Sequence, residues 1–426
     1  MQSLITIITC FVAALSSNGM PVSAFMPYNR CASHACARPR TRMRPPEWAM
    51  KIKVGLVGLP NVGKSTLMNA IAQKSIAEAK NFPFCTIEPN IAPIGIPDAN
   101  LSRLATVANS KRALPAFISL IDVAGLVKGA SEGEGLGNKF LATIRECDLI
   151  VHVIRNFADE GVVHVDGKVD PVTDAEVVNL ELILADLSHI RRRLEKSTCK
   201  GLERDVLIRV EKAMECGVPA RSMDLSTVEE FAVKSMGLLT LKPMIFAINV
   251  DEVDFAMNWD ETMKMAKEYL NRLQYCDSVR DSYLVVSAKL ESSIGSLSTE
   301  QRNEYLESIG VECDSATERL SYYKLPLLVK EVLNLALVYT GPGVPAERSQ
   351  TTKAHLLEIS DGITALDLAG KLHGDIQNGF IHAEVINSMD LVEYANYGAA
   401  KDGGKIRMEG KEYIITAGDV VLIKWR

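Results

Sequence analysis

Residues 58–66 read Gly58-Leu59-Pro60-Asn61-Val62-Gly63-Lys64-Ser65-Thr66, a complete G-x-x-x-x-G-K-S loop. It constrains the fold before any other residue does, because the loop works only where a buried strand delivers it and a helix leaves it. Both are written into the flanks. Ile52–Val57 is a short apolar run of the kind that makes a buried strand, and Leu67–Ala72 begins a helix. Such glycines let backbone N–H groups wrap a triphosphate, and the helix N-terminus adds a favourable dipole. In this pattern Lys64 reaches the β- and γ-phosphates, and the Ser65 hydroxyl is a ligand for Mg²⁺.

The first residues are a different kind of polypeptide. Leu4–Leu15 is a 12-residue apolar run, too short to span a bilayer and close to the length of a signal-peptide core. Small residues follow as far as Ala24. Then come Arg30, Arg38, Arg40, Arg42 and Arg44, with no acidic residue before Glu47. An arginine-rich, acid-free stretch behaves as a transit peptide. Signal followed by transit, with Phe25 at the junction, resembles the two-part presequences of algal plastids. Residues 1–48 are therefore expected to direct the chain to the plastid stroma, with the secretory pathway as the alternative. The nine cysteines form no C-x-x-C pair, which argues against a zinc ribbon or disulfide framework. Removing residues 1–46 leaves 42 basic and 53 acidic side chains, a net charge of −11. A uniformly basic surface is excluded, so any RNA contact must use a local patch.

Further along, apolar runs at Ala116–Ile121, Leu149–Ile154, Pro243–Ile248 and Tyr283–Val286 join the first to make five expected strands. Helical stretches separate most of them, which predicts an α/β P-loop NTPase with a mostly parallel sheet over residues 49–334. Residues 175–240 break the alternation. Leu180, Ile183, Leu184, Leu187, Ile190 and Leu194 recur at helical spacing, and Val206, Val210 and Met214 continue after Gly201. This predicts an inserted helical hairpin with Arg191, Arg192, Arg193, Lys196 and Lys200 near its tip. That cluster reads equally as a solvated helix face or as an RNA-contacting patch. Thr340–Pro345 reads as a linker. Residues 335–426 read as a compact α+β module, with strands expected at His355–Ile359, Ile381–Val385, Lys405–Met408, Glu412–Ile415 and Val420–Trp425. Its helix is expected at Thr364–Leu372.

The chemistry-bearing residues line up with the strand ends. Asp122-Val123-Ala124-Gly125 closes a strand 58 residues after Lys64 and fits D-x-x-G. Asp122 would hold Mg²⁺ through water, and the Gly125 amide could sense the γ-phosphate. Thr86 would complete the magnesium shell. Asn249-Val250-Asp251-Glu252 follows a strand where GTPases carry N-K-x-D. An aspartate at the last position accepts two hydrogen bonds from guanine, whereas adenine offers neither donor there. Glu252 is one methylene longer and displaces that fit, and Val250 removes the lysine that packs on the base. Mismatches of this kind remove guanine selectivity. Ser287-Ala288-Lys289 matches the S-A-K element that abuts the base.

Taken together, GLPNVGKST, NFPFCTIEPN, DVAGLVKGASEGEGLGNKFL and NVDE resemble the Obg-like ATPase (YchF) family of translation-factor-related P-loop NTPases. The resemblance covers residues 50–426 and implies a C-terminal, β-grasp-like TGS domain. It also implies ATP binding and hydrolysis with residual GTP use, Mg²⁺ as cofactor, and association with the ribosome or its large subunit. ATP binding carries over to Asn61, Val62, Gly63, Lys64, Ser65, Thr66 and Val250, and Mg²⁺ to Ser65 and Thr86. The residue after Gly125 is Leu126, which cannot orient water. His164 matches the loop histidine that the family uses instead, whereas His152 lies within a strand and reads as buried and inert. The segment 340–372 departs from the bacterial pattern. The mature form is expected to be a monomer with no membrane span. Two rival readings remain at this level: a GTP-dependent ribosome assembly factor, and a nucleotide-gated regulator with little catalysis.

Overall fold

The computed structural model describes residues 52–79, 90–123, 136–158, 170–273, 275–276, 281–295, 297–311, 318–341, 351–358, 362–394 and 396–426. Two six-stranded sheets organise them.

The first sheet contains β1 (Ile52–Val57), β2 (Ile91–Gly95), β4 (Phe117–Asp122), β5 (Leu149–Asn156), β6 (Met244–Val250) and β7 (Ser282–Val286). Their spatial order is β2-β4-β1-β5-β6-β7. All neighbours run parallel except β2, which lies antiparallel on β4 at the edge. The five expected strands are present. β2 is an addition, and its Pro93 is tolerated because an edge strand has one unpaired side. β6 is buried along its whole length, which explains its uninterrupted apolar sequence. Loops leaving the C-terminal ends of β1, β4, β5 and β6 therefore meet along one rim, where open α/β sheets place their ligands.

Between β5 and β6 runs a helical segment. Helix Pro171–Leu194 starts at Asp170, whose carboxylate accepts from the Val172 and Thr173 amides. It is followed by helix Leu202–Glu215 and the short helix Thr227–Val233. The long helix changes partners along its length. Val172, Ala175, Val178 and Leu182 pack on the main core. Ile183, Leu187 and Ile190 join Val206, Val210 and Met214 in a second cluster. Leu180 and Leu184, expected on the buried stripe, are 51% and 39% exposed. The stripe rotates where the helix leaves the sheet, so those two positions fall outside both contacts. Of the basic cluster, Arg191 pairs with Glu211 and Glu215, and Arg193 with Glu203. These two guanidiniums tie the two long helices together, while Arg191, Arg192, Lys196 and Lys200 remain exposed, as a solvated face requires.

The second sheet contains β8 (Leu335–Thr340), β9 (Thr351–Glu358), β10 (Phe380–Asn387), β11 (Arg407–Glu409) and β12 (Asp419–Trp425). A sixth strand, β3 (Arg112–Leu114), comes from the first half of the chain and pairs parallel with β9. The order is β11-β10-β12-β8-β9-β3. The run read as a linker begins inside β8. Glu412–Ile415, expected as a strand, makes only the single bridge Ile414–Thr364, because its backbone turns to meet the start of an earlier helix. That helix, Ala365–Leu372, is capped by Thr364 in a reciprocal box with Asp367. The main core continues from the first sheet through Tyr339, Ala354, Ile386 and Val420. Ser110 and Thr352 are joined hydroxyl to hydroxyl at 2.8 Å beside β3. Among the described residues, no helix is long and apolar enough to cross a membrane.

Candidate nucleotide site

The phosphate loop leaves β1 and enters helix Lys64–Ala79. Two of its glycines are required by close approach. A Cβ at Gly58 would lie 2.5 Å from the Val153 carbonyl oxygen, and one at Gly63 would lie 2.3 Å from Asn249 Nδ2. Gly63 also has φ +95°, and Asn61 takes a left-handed φ of 62°. These torsions turn the chain back over its own strand.

Lys64 is 6% exposed. Its ammonium donates to the Gly58 carbonyl at 3.1 Å and the Leu59 carbonyl at 2.6 Å, so it is held across the loop. Burial pushes its pKa down to about 8, with the charge of Asp122 opposing the shift. Ser65 Oγ donates to Asp122 Oδ2 at 2.5 Å. The parallel register Leu56–Asp122 brings that carboxylate beside the end of β1. Asp122 Oδ1 is buried and has no hydrogen-bond partner among the described residues. A hydroxyl and a carboxylate with an unmet buried oxygen make a hard-oxygen donor pair of the kind suited to a small divalent cation. Thr66 is exposed on the same turn.

The base side is assembled across the sheet. Asn249, at 3% exposure, donates from Nδ2 to the Val62 carbonyl at 2.9 Å and accepts the Ala288 amide on Oδ1 at 3.0 Å. It therefore braces the phosphate loop against the S-A-K loop. Val250 is 2% exposed and packs in a core cluster with Phe255 and Val285, so its side chain faces the interior. Asp251 spends its carboxylate capping the next helix, accepting from the Asp254 amide at 2.8 Å. Glu252 opens that helix and is half-buried. Ser287 is fully buried, and its Oγ has no hydrogen-bond partner among the described residues.

The fold thus brings Asn61, Val62, Gly63, Lys64, Ser65 and Thr66 together with Asp122, Asn249 and Ser287. Thr86, Gly125 and His164 lie outside the described residues. His152 is 2% exposed, and its ring centroid lies 5.7 Å from that of Phe246. Burial holds its pKa down at about 3, so it is neutral and out of the chemistry. Nothing along the sequence signals the main-chain acceptors on Gly58, Leu59 and Val62. Carbonyls carry no side-chain signature, and only the folded loop shows which ones turn inward.

A family model described as "50S ribosome-binding GTPase" matches residues 53–187. The model for the C-terminal region of YchF GTPases, described as a protein of unknown function, matches residues 349–426. The chain is 39% identical over 381 residues to "Ribosome-binding ATPase YchF" of Bacillus subtilis, covering 87% of this chain and 98% of that one. The chain belongs to the YchF/Obg-like ATPase family. Its Escherichia coli relative of the same name is 41% identical over 382 residues, again covering 87% and 98% of the two chains. "Obg-like ATPase 1" of Caenorhabditis elegans is 35% identical over 387 residues, covering 88% and 92%. The solved YchF GTPase of Schizosaccharomyces pombe superposes with a TM-score of 0.74 at 30% identity, covering 88% of this chain and 98% of that one. Residues 349–372, read as departing from the bacterial pattern, fall inside the YchF C-terminal model. As a YchF-family protein, the chain is a nucleotide-binding P-loop protein of a ribosome-associated family.

Proposed function

We propose that the protein is a Mg²⁺-dependent ATPase that switches between ATP- and ADP-bound forms on ribosomes. The observation that carries this reading is the pairing of a buried Lys64 with the Ser65–Asp122 hydroxyl–carboxylate pair at one end of the site, and Glu252 at the other. Lys64 would meet the β- and γ-phosphates. Ser65 and Asp122 would hold Mg²⁺, with Thr86 completing the shell; the bound ion neutralises charge on the phosphates. The Gly125 amide would sense the γ-phosphate. Glu252 stands where a guanine-reading aspartate would sit, which favours adenine. The relatives named ribosome-binding ATPases support the partner and the nucleotide together. His164 is the proposed water-orienting group. Its replacement, His164→Ala, is expected to keep nucleotide affinity and lower turnover at least about tenfold, the scale of a lost general base; unchanged turnover would remove it from the mechanism.

The C-terminal module is read as a TGS domain contributing to ribosome contact. Residues 1–48 are read as a presequence leading to the plastid stroma, on the strength of their apolar core and acid-free arginines. A GTP reading is favoured by the description of the matching family model. Calorimetric titration of residues 48–426 with ADP, GDP and non-hydrolysable ATP and GTP analogues in Mg²⁺ decides between them. Adenine affinity at least about tenfold above guanine, the discrimination expected of a polar mismatch, supports the ATPase reading. Equal or guanine-favoured binding makes the protein a GTP-dependent factor.

A further inference from the structure

The helix that continues the S-A-K loop is tied to a second helix by a side chain with no place in the motif series. Glu291 lies in helix Ala288–Ile294, one turn beyond Ser287, and is 4% exposed. Its own amide donates to the Ser287 carbonyl at 2.9 Å. Its carboxylate accepts the Ser321 amide at 3.0 Å and the Ser321 hydroxyl. Ser321 opens helix Ser321–Val332, whose N-cap residue, Leu320, offers no capping side chain. Glu291 therefore supplies, from a remote helix, the acceptor that the start of this helix lacks. Two residues, Leu333 and Asn334 with its left-handed φ of 48°, separate the end of that helix from β8.

Hydrogen bonds and one helix then link the two sides of the site. The Val62 carbonyl is held by Asn249, Asn249 holds the Ala288 amide, Ala288 opens the helix that carries Glu291, and the Glu291 carboxylate holds the start of helix Ser321–Val332. We propose that Glu291 is a positioning residue for the nucleotide base, fixing the S-A-K loop against the helix that leads into the second sheet. The inference rests on the nucleotide reading above and deepens it. The carboxylate is fully desolvated, which raises its pKa to about 7 against the pull of its Ser321 and Tyr322 donors. The charged and titratable groups sharing its small cavity are Arg302, from helix Thr299–Ser308, and Tyr322. Arg302 donates to the Tyr322 hydroxyl at 3.1 Å, and its Nε has no partner among the described residues. The P-loop helix faces the cavity with Ala70 alone.

The test compares two probes by calorimetry in Mg²⁺: a non-hydrolysable ATP analogue and inorganic tripolyphosphate. Tripolyphosphate lacks the base, so the ratio of the two affinities isolates base positioning. Glu291→Ala is expected to weaken the analogue about tenfold while tripolyphosphate stays within about twofold, because the buried Ser321 donors lose their acceptor on the helix that follows the S-A-K loop and not on the phosphate loop. In the unsubstituted protein the ratio should fall as pH drops from 8 to 6 and the carboxylate gains a proton; in Glu291→Gln it should stay flat. Should Glu291→Ala fail to fold, Glu291→Gln and Ser321→Ala carry the same comparison. Equal losses for both probes, or an unchanged ratio in all variants, would overturn the proposal. An unsubstituted protein that binds neither ATP nor GTP analogue would instead overturn the nucleotide reading. One that prefers GTP allows the same ratio to be taken with the GTP analogue.

Discussion

At the phosphate end of the site, residues 58–66 supply the loop, the ammonium and the hydroxyl in one continuous stretch; among the described residues, only Asp122 comes from elsewhere. At the base end, the ends of β6 and β7 and the helix that follows β7 must meet before any contact exists, with Asn249 reaching 187 positions back along the chain to Val62. The phosphate end is therefore a local structure that the sheet only presents. The base end is a tertiary structure held by buried hydrogen bonds. The difference teaches where each will fail. Local geometry fails when its own residues change, whereas an assembled site fails when a brace outside it is lost.

The sharpest probe of the local end is Lys64→Ala. Removing a charge-assisted contact to phosphate should weaken ATP-analogue binding about a hundredfold. The ligand-free melting temperature should not fall, because a desolvated charge is also removed. A variant that binds normally would break the phosphate assignment.

Next comes Asn249→Ala, which strands the buried Val62 carbonyl and Ala288 amide. ATP-analogue affinity should fall about thirtyfold and tripolyphosphate affinity no more than about threefold, since each buried partner left unsatisfied costs about 1–3 kcal/mol. Equal losses would show that the two ends are one unit and would dissolve the contrast.

The smallest effect is on pH. Lys64 has a pKa near 8 before phosphate arrives, because burial disfavours its charge, and bound phosphate favours that charge. Affinity for tripolyphosphate should be flat below pH 8. Above it, binding must take up a proton, so affinity should fall by about tenfold at pH 9. A profile flat through pH 9 would mean that the ammonium is not the phosphate contact.

Much of the first sheet was legible because parallel, doubly buried strands read as unbroken apolar runs, as in β6. β2 escaped notice because its five residues include Pro93 and Gly95, which read as turn residues unless an edge position excuses them. The expected stripe through Leu180 and Leu184 misled because periodicity reports helix but not which neighbour each turn meets. Within the site, the motif fixed Lys64 and Ser65 in advance. It could not show that Val250 would face the core, nor that Asp251 would be consumed as a cap.

By itself, then, the sequence determined the phosphate loop, its strand and helix, the helical insertion and the family. These depend on neighbours a few residues apart or on patterns repeated along one element. Only the tertiary structure decided that Arg112–Leu114 would cross over and complete the second sheet beside β9. It also decided that Glu291 would cap a helix 30 positions away. A three-residue strand has no intrinsic stability and exists because a partner edge offers it hydrogen bonds. A buried carboxylate is tolerated only where distant amides converge on it. Both are properties of proximity in space, which no local pattern along a chain records.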